Sequence, residues 1–166
     1  KEQLDELSEL GVDFAGLIFY PKSARYVLNR LSKEQIRKEH RINKVGVFVN
    51  AAVEDVLRTV DECRLHMIQL HGDETPKYCE RLADYITVIK AFRISDHDSI
   101  QWNMKSYLEA CDMFMFDTMG SGYGGTGKKF DWNLLSSEVI EKMFLLRHSH
   151  WLLCFFSETA LAVSIA

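Results

Sequence analysis

Apolar residues along this chain gather into short unbroken runs separated by amphipathic stretches, and that alternation is its strongest signal. Asp13-Phe-Ala-Gly-Leu-Ile-Phe-Tyr20 is a nearly continuous apolar run of strand length. Lys44-Val-Gly-Val-Phe-Val49, His66-Met-Ile-Gln-Leu70, Ile86-Thr-Val-Ile-Lys-Ala91 and Met113-Phe-Met-Phe-Asp117 repeat the pattern, and Met143-Phe-Leu-Leu146 reads as one more. Runs that do not alternate with polar residues predict strands buried on both faces.

The intervening stretches carry helix signals. Leu4, Leu7 and Leu10 recur at helical spacing, with Gly11 where a left-handed C-terminal cap would sit. Ser32 and Gln35 make a capping box, and Asn50 is read as the cap of a helix whose core stripe is Val53, Val56, Leu57 and Val60. Thr75 and Pro76 read as N-cap and first residue of the next helix, another spans about Ser99 to Glu109, and Asp131 is read as a cap beyond a Gly-rich loop. Trp151 to Ala166 is apolar except at Glu158 and shorter than the roughly 20 residues a bilayer requires, which predicts a buried helix or strand. Helices alternating with wholly apolar strands, one strand every roughly 20–30 residues, predict a parallel sheet wrapped by helices. The choice lies between an open doubly wound sheet and a closed (β/α)8 barrel.

Composition narrows the class. At 166 residues, 47% hydrophobic and 27% charged, with two prolines, the chain reads as a single domain, 1–166, able to bury a core. A net charge of −4 argues against a nucleic-acid binder. Cys63, Cys79, Cys111 and Cys154 are widely spaced, with no CxxC pair and no histidine cluster, so neither a disulfide framework nor a metal site is expected. Lys1-Glu-Gln-Leu-Asp-Glu-Leu lacks the apolar core of a signal peptide. The expectation is a cytoplasmic protein with reduced thiols and no membrane partner.

In either architecture the working residues follow the C-terminal ends of the strands. That rule selects Arg25, Gln69, His71 and Asp117, with the loop Gly120-Ser-Gly-Tyr-Gly-Gly-Thr-Gly-Lys128. Arg25 reads either as a solvated arginine or as a bidentate clamp on a carboxylate or phosphate. His71 is either a backbone-bonded strand end or a ligand-facing group. If its strand alternates, Gln69 points opposite Leu70 and either lines the interior or meets a ligand. Asp117 ends an apolar run with no partner nearby in sequence, which favours a functional carboxyl. The Gly-rich loop meets most of the P-loop pattern, but Lys129 stands where Ser or Thr must hold magnesium, so nucleotide binding is a distant alternative and a mobile lid the plainer one.

Taken together, these loops resemble phosphoribosylanthranilate isomerase of tryptophan biosynthesis. The matching pieces are Gly11-Val-Asp-Phe-Ala-Gly-Leu-Ile-Phe-Tyr-Pro-Lys-Ser-Ala-Arg-Tyr-Val27, Val45-Gly-Val-Phe-Val49, Ile68-Gln-Leu-His-Gly72, Lys90-Ala-Phe92, Phe116-Asp-Thr118, Gly124-Gly-Thr-Gly-Lys128 and Phe130-Asp-Trp132. They run in the family's order across about residues 1–135. The resemblance implies a (β/α)8 barrel and a cofactor-free Amadori rearrangement of phosphoribosylanthranilate, an aminoaldose phosphate, to an aminoketose phosphate. It implies Asp117 as general acid, Arg25 facing the anthranilate carboxylate, Gln69 and His71 lining the site, and Gly125 and Thr126 on the substrate.

The chain also departs from the pattern. The family's Lys-x-Cys-Gly motif, whose cysteine is the general base, has no match here, and none of the four cysteines lies in such a motif. Ala24 stands where proline is common. Arg147-His-Ser-His150 replaces the expected paired glycines, and the Ser-Gly phosphate turn of the last strand has no counterpart. The expectation is therefore an incomplete barrel, its first and last strands lacking or altered, with a divergent segment over 140–166 and little or no turnover. A non-catalytic barrel fragment or binding scaffold is the competing reading.

Overall fold

The computed structural model describes residues 13–39, 41–94, 104–118, 144–148, 151–155 and 160–164. The helix expected to end at Gly11, the Gly-rich loop with Gly125 and Thr126, and the Asp131 cap lie outside them. Eight strands form one sheet in chain order: β1 (Phe14–Ile18), β2 (Asn43–Phe48), β3 (Met67–Leu70), β4 (Thr87–Ile94), β5 (Met113–Thr118), β6 (Phe144–His148), β7 (Trp151–Phe155) and β8 (Ala160–Ser164). Each neighbours its successor, without the mid-sheet reversal of a doubly wound fold. β8 returns to within 8 Å, Cα to Cα, of β1.

Strands β1 to β6 are parallel, joined by crossovers that include helices α1 (Lys33–Lys38), α2 (Val53–Cys63) and α3 (Pro76–Ala83). Of the helix expected over Ser99–Glu109, the described part, 104–110, is helical at Met104 and Lys105 and then turns. The expectation of parallel strands fails at the end of the chain, where β6–β7 and β7–β8 are antiparallel. The reason is connection length: residues 149–150 and 156–159 are too few for a crossover, which takes a dozen or more, and short links leave only antiparallel pairing. Between the helix and strand readings of 151–166, strand wins.

The capping-box reading holds: Ser32 Oγ accepts from the Gln35 amide at 3.2 Å, and Gln35 Oε1 accepts from the Ser32 amide at 2.8 Å. Ser32→Ala is expected to cost about 1 kcal/mol, seen as a lower urea midpoint at unchanged slope. Thr75 caps α3 with Pro76 at its first turn, also as expected. Asn50 does not cap α2; Ala52 is the cap residue. Asn50 instead sits at φ 50, and its side chain crosses to the turn after β3. Asparagine tolerates that left-handed backbone better than most residues, so the polar residue marks a bend two residues ahead of the helix cap.

Strands buried on both faces need a core on each side, and the described residues form both. Leu17, Phe48, Ile68, Leu70, Val88 and Phe114 pack with Val53, Val56 and Cys63 of α2 and with Cys79 and Leu82 of α3. On the opposite face Val45, Ile89, Ala91, Met113 and Met115 pack with Phe14 and Met67. Lys44, 1% exposed, sits where β2 begins, and its ammonium donates to the Ile36 and Cys63 carbonyls, both at 2.9 Å. One cation thus satisfies carbonyls in the last turns of α1 and α2, where the helix dipoles favour positive charge. Burial holds the Lys44 ammonium below its ordinary pKa.

Candidate active site

Parallel pairing of β1 to β5 brings their C-terminal ends to one edge of the sheet, and the expected site residues distribute along it. Arg25 follows β1 on an exposed loop, where its amide donates to Ser23 Oγ at 3.1 Å. Gln69 lies in β3 and His71 just past it. Asp117 is the next-to-last residue of β5, register-paired with Arg93 of β4 and Arg147 of β6.

Alternation along β3 sends Ile68 and Leu70 into the helix-side core and Met67 to the inner face. Gln69 is 3% exposed, and its side-chain nitrogen lies 2.7 Å from His71 Nδ1. The contact joins the two side chains into one unit, in which donor and acceptor follow the tautomer of the imidazole.

Around this unit the structure reveals a buried ion pair that spacing along the sequence did not expose. Lys90 of β4 and Glu74, 3% and 4% exposed, meet at 2.9 Å. Lys90 Nζ also donates to the Leu70 carbonyl at 3.3 Å and the Gly72 carbonyl at 2.7 Å. The Glu74 carboxylate accepts from the Asn50 amide at 2.8 Å and the Gly72 amide at 2.9 Å. Asn50 Oδ1 accepts from the Asp73 amide at 2.7 Å. The pair therefore ties together the C-terminal ends of β2, β3 and β4. Gly72 has no room for a side chain: a Cβ would collide with the Asn50 side chain and come 2.8 Å from Glu74 Oε1.

Behind the pair, Tyr107 Oη donates to the Glu74 carbonyl at 2.8 Å and Tyr78 Oη to the Ala51 carbonyl at 2.9 Å. Burial pushes the Cys79 thiol up to about 12, helped by the proximity of Cys111, and pushes the Tyr78 hydroxyl up to about 12. The folded state thus prefers both groups neutral. Their contribution is complete below the ordinary thiol pKa of 9.0 and is lost as pH rises toward 12. Stability to urea is expected to fall across that interval, and less steeply in Cys79→Ala; an equally steep fall would remove Cys79 from the account. Cys63, Cys79 and Cys111 are free and buried.

Among the described residues no group of three or more His, Cys, Asp or Glu side chains could hold a metal ion, and no helix is long and apolar enough to cross a membrane. A cleft of 490 Å³ opens at the opposite edge, between residues that precede the strands, including Leu65, His66, Ile86 and Asp112. It lacks the strand-end constellation.

The family model for N-(5'-phosphoribosyl)anthranilate (PRA) isomerase matches residues 1–147. The chain belongs to the phosphoribosylanthranilate isomerase family. The isomerase of Phocaeicola vulgatus is 42% identical over 146 residues, covering 87% of this chain and 69% of the relative. That of Parabacteroides distasonis is 36% identical over 148 residues, with 87% and 66% covered. The chain thus spans about two thirds of the length of these two relatives. The phosphoribosylanthranilate isomerase of Thermotoga maritima superposes with a TM-score of 0.68 at 32% identity, covering 89% of this chain and 72% of that one. Another isomerase structure, holding reduced 1-(o-carboxyphenylamino)-1-deoxyribulose 5-phosphate, matches with a TM-score of 0.61 at 30% identity, covering 86% and 68%. The neighbours are (β/α)8 barrels, so the barrel alternative stands and the doubly wound one is set aside.

Proposed function

We propose that this chain supplies the substrate-binding edge and the general acid of a phosphoribosylanthranilate isomerase acting in the cytoplasm as one domain, with phosphoribosylanthranilate as its small-molecule partner and no cofactor. The observation that carries this reading is the Gln69–His71 unit, built into the strand-end edge on which β5 also delivers Asp117, in a chain of this family.

Ring opening needs a proton delivered to the ribose ring oxygen, giving a Schiff base, and a base then removes the proton from C2. Asp117 fits the first task, since its position in β5 has the same parity as Met113 and Met115 of the inner core. Arg25 stands on the exposed loop after β1, free to turn its planar fork to the anthranilate carboxylate. Gln69 and His71 line the wall between them, and Gly125 and Thr126 are assigned to substrate binding by the family motif. Cys63, Cys79 and Cys111 are unsuited to the base role, because they are buried, and burial holds the Cys63 and Cys79 thiols above their ordinary pKa.

The test combines turnover, followed as loss of substrate fluorescence, with calorimetric titration of the reduced product analogue. In a polypeptide carrying this sequence, Arg25→Ala is expected to weaken analogue binding roughly 10- to 100-fold, the loss of one or two charge-assisted hydrogen bonds. Binding unchanged in Arg25→Ala would reject the clamp. A parent polypeptide that neither binds the analogue nor turns over substrate would reject the assignment as a whole.

A further inference from the structure

A histidine at the end of a strand keeps its place only if the turn that follows is held, and here three successive peptides around it are each held by a hydrogen bond. The peptide entering His71 is held at its carbonyl, that of Leu70, by Lys90 Nζ, and at its amide by the Phe48 carbonyl at 2.9 Å. The peptide leaving His71 is held at the Gly72 amide by Glu74. The next is held at the Gly72 carbonyl by Lys90 and at the Asp73 amide by Asn50 Oδ1. Lys90 grips the turn both before and after the histidine.

Its setting gives the grip its strength. The ammonium has three donors, and the structure gives it three acceptors: two carbonyl oxygens and Glu74 Oε2. At 3% exposure, water does not compete for them, and the 4% exposed Glu74 supplies the compensating charge. The same carboxylate reaches the Asn50 amide at the end of β2, so the turn is braced from both neighbouring strands. Lys90 lies in β4 beside Val88, which faces the helix-side core, and its ammonium stands 5.9 Å from the Phe92 ring centroid.

From this geometry we infer that Lys90, charge-balanced by Glu74, is a positioning residue for His71: it fixes the backbone on both sides of the imidazole and so holds the Gln69–His71 unit in place at the strand-end edge. The consequence for catalysis rests on the functional reading above; the consequence for the histidine does not.

Two variants separate positioning from plain stability. Lys90→Met leaves the Glu74 carboxylate buried without a cation. Lys90→Met combined with Glu74→Gln removes both charges and is expected to recover much of the thermal midpoint, because a buried pair exchanged for neutral groups of similar size is often tolerated. The carbonyl anchors stay lost in both. The readout is the ring-nitrogen NMR signals of His71, identified by their disappearance in His71→Gln. In the parent they should show Nδ1 in one hydrogen-bonded environment, and in the double variant an average over several. Unchanged His71 signals in a folded double variant would overturn the inference.

If the double variant does not fold, Lys90→Arg carries the test, since it keeps the charge but changes the reach to Leu70 and Gly72; the His71 signals must shift, and unchanged signals again overturn the inference. Turnover per folded molecule is read alongside, with a loss of about 100-fold expected for a displacement near 1 Å. Shifted His71 signals with unchanged turnover would uphold the positioning and reject the functional assignment of this edge.

Discussion

In a polypeptide that carries this sequence and turns over phosphoribosylanthranilate, Asp117→Asn is expected to leave the fold standing and to lower turnover by about 100- to 10,000-fold, the usual contribution of a positioned general acid. The change is close to isosteric, so the β4–β5 and β5–β6 ladders, which are backbone-bonded through Arg93, Asp117 and Arg147, have no reason to shift. What is lost is the proton. An amide can hydrogen-bond to a ring oxygen but cannot give up a proton to it, so the ring stays closed while the substrate still binds. The expected pattern is a fall in kcat with KM little altered and analogue affinity retained. Turnover undiminished in a folded Asp117→Asn polypeptide would rule Asp117 out as the acid.

Glu74→Leu should destabilise the fold by about 3–5 kcal/mol, because it leaves the Lys90 ammonium buried with no opposite charge. It also removes the acceptor for the Asn50 and Gly72 amides. With a domain stability of about 5–15 kcal/mol, such a loss brings the protein near its unfolding threshold at ordinary temperature. Chemical unfolding of the parent, Glu74→Leu and Glu74→Leu with Lys90→Met measures the effect. The double variant should be more stable than Glu74→Leu, since the stranded cation is gone. A double variant no more stable than the single one would show that the backbone hydrogen bonds to Glu74, and not the charge of Lys90, set the cost.

How far the sequence reveals this arrangement depends on how local each feature is. Strands β1 to β6 were legible because each is a nearly unbroken apolar run, a property of a single segment. The Ser32 and Thr75 caps were legible for the same reason, since each bond spans three residues. Asn50 misled because a helix cap follows two residues later, while its actual partner, Asp73, lies 23 residues away. The antiparallel end was foreshadowed only by the shortness of its links. At the site, Gln69 and His71 could be selected because they sit at a strand end, and their mutual bond spans two residues. The Lys90–Glu74 pair could not be found that way. Lys90 is a single polar letter between Val88-Ile89 and Ala91-Phe92, and its partner lies 16 residues earlier, across a helix, where the parallel pairing of β3 with β4 brings them together.

The strict order of the sheet also bears on how the chain acquires its shape during synthesis. Every strand from β2 onward pairs with the one made just before it, so no strand must wait for a partner translated later. Domains emerge from the ribosome at about 5–20 residues per second, far slower than local pairing. The β1–β2 ladder has all its residues once Phe48 is out, and Lys44 gains its second carbonyl when Cys63 follows. The growing sheet therefore exposes one advancing edge, and the clasp of Lys90 on the preceding turn comes into reach as β4 docks on β3. Assembly can proceed by successive addition, each strand templated by a surface already in place.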